Sequence, residues 1–206
     1  MYGLSAGVFE EVARWLMYRF WAKDERSWKE GVLLGAGHGG VEALFVGLIL
    51  LATLYQMIAV RDANLADLVE PENLEAVKQS IDMYWTTPAW SHFLSLVERV
   101  LTMIIHISMS LLVLQSFIRK NIGWLAISIA YHTLVNAVAL FVAQTYGVVY
   151  SEGVLFLFAL FSAYIIYRLW KQEPEEEIIE VEPVEMLEVT NVEVLNRDTI
   201  EKSKYD

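Results

Sequence analysis

Residues 31–58, GVLLGAGHGGVEALFVGLILLATLYQMI, form a long apolar run in which Glu42 is the only charged residue. A helix needs roughly 20 such residues to cross about 30 Å of hydrocarbon, so this run by itself predicts a transmembrane helix. Comparable runs recur along the chain, and together they predict about five spans. These spans lie at residues 3–22, 30–58, 92–118, 121–146 and 150–169.

The composition agrees with a membrane protein. Hydrophobic residues make up 56% of the 206 residues and the mean hydropathy is +0.40, which is more apolar surface than a soluble domain of this size can bury. The predicted fold class is therefore all-α, a polytopic transmembrane helical bundle over residues 1–170. The chain contains no cysteine, which excludes disulfides, thiolate metal sites and cysteine nucleophiles.

The acidic net charge comes from the end of the chain. Residues 171–206 hold 12 of the 26 acidic residues and 4 of the 15 basic ones, which leaves 14 and 11 for the rest. This charged, proline-punctuated segment is predicted to be a disordered tail, since it cannot bury enough apolar surface to order itself. The nearly balanced remainder offers no basic face, so no nucleic-acid partner is expected.

The positions of lysine and arginine predict the orientation, because cytoplasmic loops retain basic residues. Basic residues follow the first, third and fifth spans, whereas residues 61–90 are mainly acidic. We therefore expect a multi-pass protein of the cell membrane with an outer N-terminus and a cytoplasmic C-terminus. Residues 61–90 form an external loop in this prediction, with a short amphipathic helix near residues 72–84.

Charged and polar residues interrupt the predicted spans. Glu10, Glu11 and Arg14 lie in the first span, where each charge costs about 2.5 to 3.5 kcal/mol in lipid. Their spacing of three and four residues allows an ion pair on one helix face. The later spans contribute further polar side chains at helical spacing: His38 with Glu42, His106, and His132 with Asn136.

The depth of these residues predicts a shared site. With a rise of 1.5 Å per residue from the cytoplasmic ends, Glu11, His38, His106 and His132 lie about 16, 14, 18 and 16 Å deep. Four helices thus carry acid-base groups to nearly one plane, next to a stripe of small residues at positions 31, 35, 39, 43 and 47 that permits close approach. Glu98 and Arg99 fall near the outer surface, where we expect a structural ion pair.

This set of residues suits the activation of water. A glutamate can take the proton, a histidine can orient the water, and a His/Asn pair can donate hydrogen bonds to the oxyanion of an attacked peptide carbonyl. The three histidines His38, His106 and His132, together with a glutamate, can equally hold Zn²⁺. Two other functions use the same residues: a transporter or channel with a proton or metal-ion relay, and a non-catalytic scaffold that binds transmembrane segments.

Four motifs in order, FEEVARW, GAGHGGVEA, ERVLTMIIH and HTLVN, resemble those of the YhfC-type intramembrane metalloproteases. That family is distantly related to the CAAX prenyl endopeptidases, the bacteriocin-processing membrane proteases and PrsW, and the resemblance covers residues 4–140. It implies a membrane endopeptidase with Glu10 or Glu11 and His38 as the base and His132 with Asn136 as the oxyanion hole. In this interpretation Arg14 and Glu42 support the site, and His106 is a further member or a metal ligand.

The sequence departs from the family pattern in two places. The arginine follows the glutamate pair after two residues, EExxR, so the alignment decides which carboxylate is catalytic, and we favour Glu10. Family members also usually have hydrophobic helices ahead of this motif, which begins close to the first residue here. The resulting prediction is an intramembrane protease of peptide or transmembrane-segment substrates, with its site opening toward the cytoplasmic half.

Overall fold

The computed structural model describes residues 2–172, and every regular element in that range is helical. The helices are α1 (Tyr2–Phe20), α2 (Trp28–Val60), α3 (Leu74–Thr86), α4 (Ala89–Ile118), α5 (Gly123–Tyr146) and α6 (Val148–Trp170), with a short 3₁₀ turn at Leu65–Asp67. The predicted all-α bundle is confirmed. The predicted disordered tail lies outside the described residues.

Four of these helices, α2, α4, α5 and α6, are long and apolar enough to cross a membrane. The sequence predicts about five spans. The fifth is the span predicted at residues 3–22, which corresponds to α1. Its 19 residues include Glu10, Glu11, Arg14 and Arg19, so its composition is not that of a lipid-exposed span. The helix α3 lies where the short amphipathic helix is predicted.

Local signals set several of the helix ends. Ser27 caps α2 in a capping box, in which its hydroxyl accepts from the Glu30 amide at 3.3 Å and the Glu30 carboxylate accepts from the Ser27 amide at 2.8 Å. Pro88 directly precedes α4, where the missing backbone N–H of proline removes no hydrogen bond of the helix. Gly147 separates α5 from α6 with φ +99°, a conformation that only glycine adopts readily.

The helix α4 lies at the centre of the bundle and contacts α1, α2, α5 and α6. Its second half is almost completely buried, from Ile105 to Ser116. In turn, α1 packs mainly on α5 and also on α4. This arrangement surrounds the middle of α4 with the polar residues of α1, α2 and α5.

Glycines allow two of these helix pairs to approach closely. A Cβ on Gly35 would lie 2.6 Å from the Cα of Ile107, and one on Gly39 would lie 3.3 Å from the Cα of Met103. The predicted small-residue stripe is therefore present at positions 31, 35 and 39, but a Cβ on Gly47 would meet open space. On α1, Gly7 packs against Thr133 of α5, a close approach that the sequence analysis did not predict.

Gly35→Ala is expected to destabilise the protein by about 1 to 3 kcal/mol, because the backbone of α4 must move to accept the new methyl group. The matched control is Gly40→Ala on the same helix, where the added Cβ has no neighbour within 4 Å. That change should be neutral or slightly stabilising, since alanine favours helix. Thermal unfolding in detergent measures both, and equal melting temperatures for the two variants would contradict the close α2–α4 contact.

Candidate active site

An ion pair inside the bundle joins Glu11 to Arg14. Nη1 of Arg14 donates to both carboxylate oxygens of Glu11, at 2.5 and 2.6 Å, and the Glu11 side chain is completely buried. The Ser128 hydroxyl donates to Glu11 at 2.6 Å, and Nδ1 of His132 lies 2.8 Å from the same carboxylate. The acceptor positions of Glu11 are thus used by groups of the protein, which offsets the cost of burying its charge.

The neighbouring Glu10 has a different environment. Its Oε2 lies 3.2 Å from Nε2 of His38 and 3.8 Å from Nε2 of His132, and 34% of its side chain is exposed. Glu10 also lines a cavity of the described chain, whereas Glu11 is not among the lining residues. One carboxylate of the pair is therefore accessible, while the other is enclosed.

His106 links α1 to a third carboxylate. Nη2 of Arg14 lies 3.3 Å from Nδ1 of His106, and Nε2 of His106 lies 2.7 Å from Oε2 of Glu42. A guanidinium can only donate, so Nδ1 accepts and the proton of the neutral ring is on Nε2, from which it is donated to Glu42. Glu42 in turn accepts from Arg99 at 2.7 Å.

The tautomer of His132 follows from the same reasoning. Because the Glu11 carboxylate is an acceptor, Nδ1 of His132 carries a hydrogen and donates it to Glu11. Nε2 then faces Glu10, with a lone pair if the ring is neutral or a second hydrogen if it is protonated. His132 is itself almost completely buried.

The imidazoles predicted at one depth are brought together. The ring centroids of His38 and His106 are 5.0 Å apart, and those of His106 and His132 are 5.6 Å apart. Glu10, His38, Glu42 and His106 each offer one ligand atom, and these four atoms all lie within 4.8 Å of one another. Two imidazole nitrogens and two carboxylate oxygens at this spacing could hold a metal ion. His132, a predicted metal ligand, is not part of this group of four.

A cavity of about 340 Å³ opens beside these groups. Its polar wall contains both predicted members of the oxyanion pair, His132 and Asn136, together with Glu10, Glu42 and His106. The remaining wall is mostly apolar, with Ile105, Val135 and Leu155 among its members. An apolar cleft with a few convergent polar groups is typical of a ligand site.

The structure adds to one expectation from the sequence and differs from another. Arg99 forms the expected ion pair with Glu98, and its guanidinium also contacts Glu42 and lines the cavity. Arg99 lies two helical turns before His106, and its long side chain reaches back to Glu42, which His106 also contacts. The cavity lining on α1 runs from Gly3 to Glu10, which lies in the predicted outer half, whereas the sequence analysis expected the site to open toward the predicted cytoplasmic half.

Ser128 is a site residue that the sequence analysis missed. Its hydroxyl contacts Glu11 at 2.6 Å, and it lies one helical turn before His132. A serine in an apolar helix carries little information in the sequence, because most such hydroxyls bond to their own backbone. The spacing of four residues from His132 is the signal that could have indicated it.

Comparisons with known proteins agree with this architecture. The family model described as YhfC intramembrane metalloprotease matches residues 1–160. The chain is 31% identical over 175 residues to the uncharacterized membrane protein YhfC of Bacillus subtilis (strain 168), and the alignment covers 83% of this chain and 67% of that protein. No solved structure matches the chain. With a family model that extends from α1 into α6 and a relative aligned over most of the chain, this protein belongs to the YhfC intramembrane metalloprotease family.

Proposed function

We propose that the protein hydrolyses a peptide bond of a membrane-embedded or membrane-associated segment, with Glu10 as the general base. The observation that carries this proposal is the contrast within the glutamate pair. Glu10 is accessible from the cavity and contacts His38, whereas Glu11 is buried and bonded to Arg14, Ser128 and His132. A base must reach the proton that it abstracts, and of this pair Glu10 alone meets the condition.

The proposed reaction begins with a water held between Glu10 and His38. Glu10 takes a proton from this water while the water oxygen attacks the carbonyl carbon of the peptide bond, which gives a tetrahedral oxyanion. His132 and the Asn136 amide donate hydrogen bonds to the oxyanion, a role that requires hydrogens on both ring nitrogens of His132. The carbon–nitrogen bond then breaks, and Glu10 returns the proton to the leaving amine.

Glu11 acts as a positioning residue in this proposal. It accepts from Nδ1 of His132 and so fixes the orientation of that ring, with Nε2 directed at the cavity. Arg14 neutralises Glu11 and also bonds Nδ1 of His106. The two histidines are thereby oriented by one ion pair from α1.

The residues present also fit a metal ion. Glu10, His38, Glu42 and His106 would hold it, and their mixture of imidazole and carboxylate donors suits zinc. His106 now donates its Nε2 hydrogen to Glu42, so binding of a metal there would displace that proton. When bound, zinc supplies a polarised water that ionises near neutral pH. Glu10 has two carboxylate oxygens, so it can hold an ion with one and accept a proton with the other.

The activity can be tested with purified protein in liposomes that contain transmembrane peptides. We expect products whose new carboxyl group carries one ¹⁸O atom when the reaction is run in H₂¹⁸O. If the site holds zinc, elemental analysis will find about one ion per chain, and a chelator will stop cleavage until zinc is restored. Proton or metal-ion flux without any peptide product would instead support a transporter.

A further inference from the structure

The cavity lies at one end of the bundle, which we call the cavity end. This end holds the first residues of α1 and α4 and the last residues of α2 and α5, since Gly7 packs on Thr133 and Gly39 on Met103 in antiparallel pairs. The cavity wall runs from the imidazoles toward this end, as far as Gly3 on α1, Glu98 on α4 and Leu140 on α5. The cavity therefore extends toward the cavity end, and a segment that enters along the bundle axis comes from that end.

The opposite end of the bundle, the closed end, is tightly packed below the imidazoles. Tyr18 is completely buried and hydrogen-bonded to Ser110 at 2.8 Å, beside Leu111 and Leu114, which are at most 1% exposed. The wall of the cavity includes no residue of α4 beyond Met109. Access to Glu10 from this side would require these core side chains to separate.

The loop that joins α1 to α2 also covers the closed end. Arg26 donates to the carbonyl oxygens of Ala22 at 2.6 Å and Tyr18 at 3.0 Å, and its guanidinium lies 4.7 Å from the centre of the Phe117 ring. The indole of Trp28 donates to the Ile166 carbonyl at 3.1 Å. These contacts tie the loop to α4 and the first residue of α2 to α6, so the loop is anchored over the closed end.

The two ends differ in charge. Most basic residues of the described chain lie at the closed end, including Lys23, Arg26, Lys29, Arg119, Lys120 and Lys171. The segment between α2 and α4, at the cavity end, is mainly acidic, with Asp62, Asp67, Glu70, Glu72, Glu75 and Asp82. Because loops rich in lysine and arginine stay in the cytoplasm, the closed end faces the cytoplasm and the cavity end faces outward.

From these observations we infer that the site receives its substrate from the outer side of the membrane. The substrate class is a peptide segment that lies in, or enters from, the outer half of the bilayer, and segments confined to the cytoplasmic side are excluded. The choice of substrate rests on the proposed hydrolysis, whereas the side of access rests on the packing and charge of the bundle.

The side of access can be measured by cysteine labelling, since the chain has no cysteine of its own. Glu70→Cys marks the cavity end, Lys23→Cys the closed end, Thr102→Cys the cavity wall and Val113→Cys the buried core. Intact cells that produce each full-length variant are treated with a membrane-impermeant maleimide, before and after permeabilisation. Thr102→Cys and Glu70→Cys should be labelled in intact cells, Lys23→Cys only after permeabilisation, and Val113→Cys only after denaturation.

Three results would overturn the inference. Labelling of Thr102→Cys only after permeabilisation would place access on the cytoplasmic side. Resistance of Thr102→Cys until denaturation, as for Val113→Cys, would mean that the cavity is closed. Labelling of Lys23→Cys in intact cells would mean that the orientation is inverted.

The cleavage sites of any peptides hydrolysed in cells provide a second test. They should lie in the outer half of the substrate segment. Cleavage in the cytoplasmic half would overturn the inference even if the labelling pattern were as expected. The labelling does not depend on catalysis. A complete lack of peptide products would therefore count against the proposed hydrolysis, while the labelling would still decide the side of access.

Discussion

Glu10→Gln is expected to lower the rate of peptide hydrolysis by at least about 100-fold, since a positioned general base contributes roughly 10² to 10⁴ to a rate. The amide has nearly the shape of the carboxylate but cannot accept the proton of the attacking water. Because Glu10 is partly exposed in the cavity and has no ion pair with Arg14, the protein should keep its fold and its level in the membrane. Single-turnover cleavage of a peptide in liposomes measures the loss.

His38→Gln should cause a similar loss, because His38 is the group that contacts Glu10 from α2. The matched control is Glu75→Gln, which removes an exposed carboxylate on α3 and should leave the rate unchanged. Hydrolysis by Glu10→Gln at the rate of the unmodified protein would remove the proposed base. In that case the role of Glu10 would be limited to the polarity of the cavity.

Arg14→Ala is expected to destabilise the folded protein by about 3 to 5 kcal/mol, the usual cost of leaving one charge of a buried pair without its partner. Glu11 would keep the Ser128 and His132 contacts but lose both bonds to the guanidinium. His106 would also lose the donor at its Nδ1. Thermal unfolding in detergent should show a large decrease in melting temperature.

The double variant Glu11→Gln with Arg14→Gln provides the control, since it removes both charges and keeps two polar side chains of similar length. It should recover part of the stability that Arg14→Ala loses. Glu11→Gln alone should also be destabilising, in contrast to Glu10→Gln. An unchanged melting temperature for Arg14→Ala would show that the pair contributes no stability and that the helix α1 is held by other contacts.

The contrasting expectations for Glu10 and Glu11 follow from their adjacent positions on one helix. Adjacent residues on a helix point about 100° apart, so a helix packed between α4 and α5 directs one carboxylate inward and the other toward α2 and the cavity. The inward carboxylate meets Arg14, Ser128 and His132. A pair of identical residues thus divides into a structural and an accessible member.

Five polar residues form a continuous chain of contacts across three helices, α1, α2 and α4. Arg99 bonds Glu42, Glu42 accepts from His106, and His106 contacts Arg14, which bonds Glu11. Each carboxylate in this chain contacts an arginine, which compensates charges that would each be costly in lipid. The same contacts orient the His106 ring, so the network that lowers the cost of burial also arranges the site.

The sequence by itself determined the helices, the membrane location and the positions of the polar residues along each helix. Apolar runs of sufficient length specify spanning helices, because a backbone in hydrocarbon must satisfy its hydrogen bonds internally. The fixed rise of a helix then predicts that Glu11, His38, His106 and His132 lie at similar depth, and the structure has the three rings in contact. The spacing of Arg14 from Glu10 and Glu11 likewise allowed an ion pair with either carboxylate, and the structure forms it with Glu11.

Only the tertiary structure decided which faces of these helices meet. Lipid tails are as apolar as a protein core, so the pattern of apolar residues does not distinguish a face that packs on another helix from one that faces lipid. The burial of Glu11 rather than Glu10, the contact of Arg99 with Glu42 and the direction of the cavity all depend on helix rotation and on side-chain reach across the bundle. These quantities have no signature in the sequence, because they arise from packing between helices that are distant along the chain.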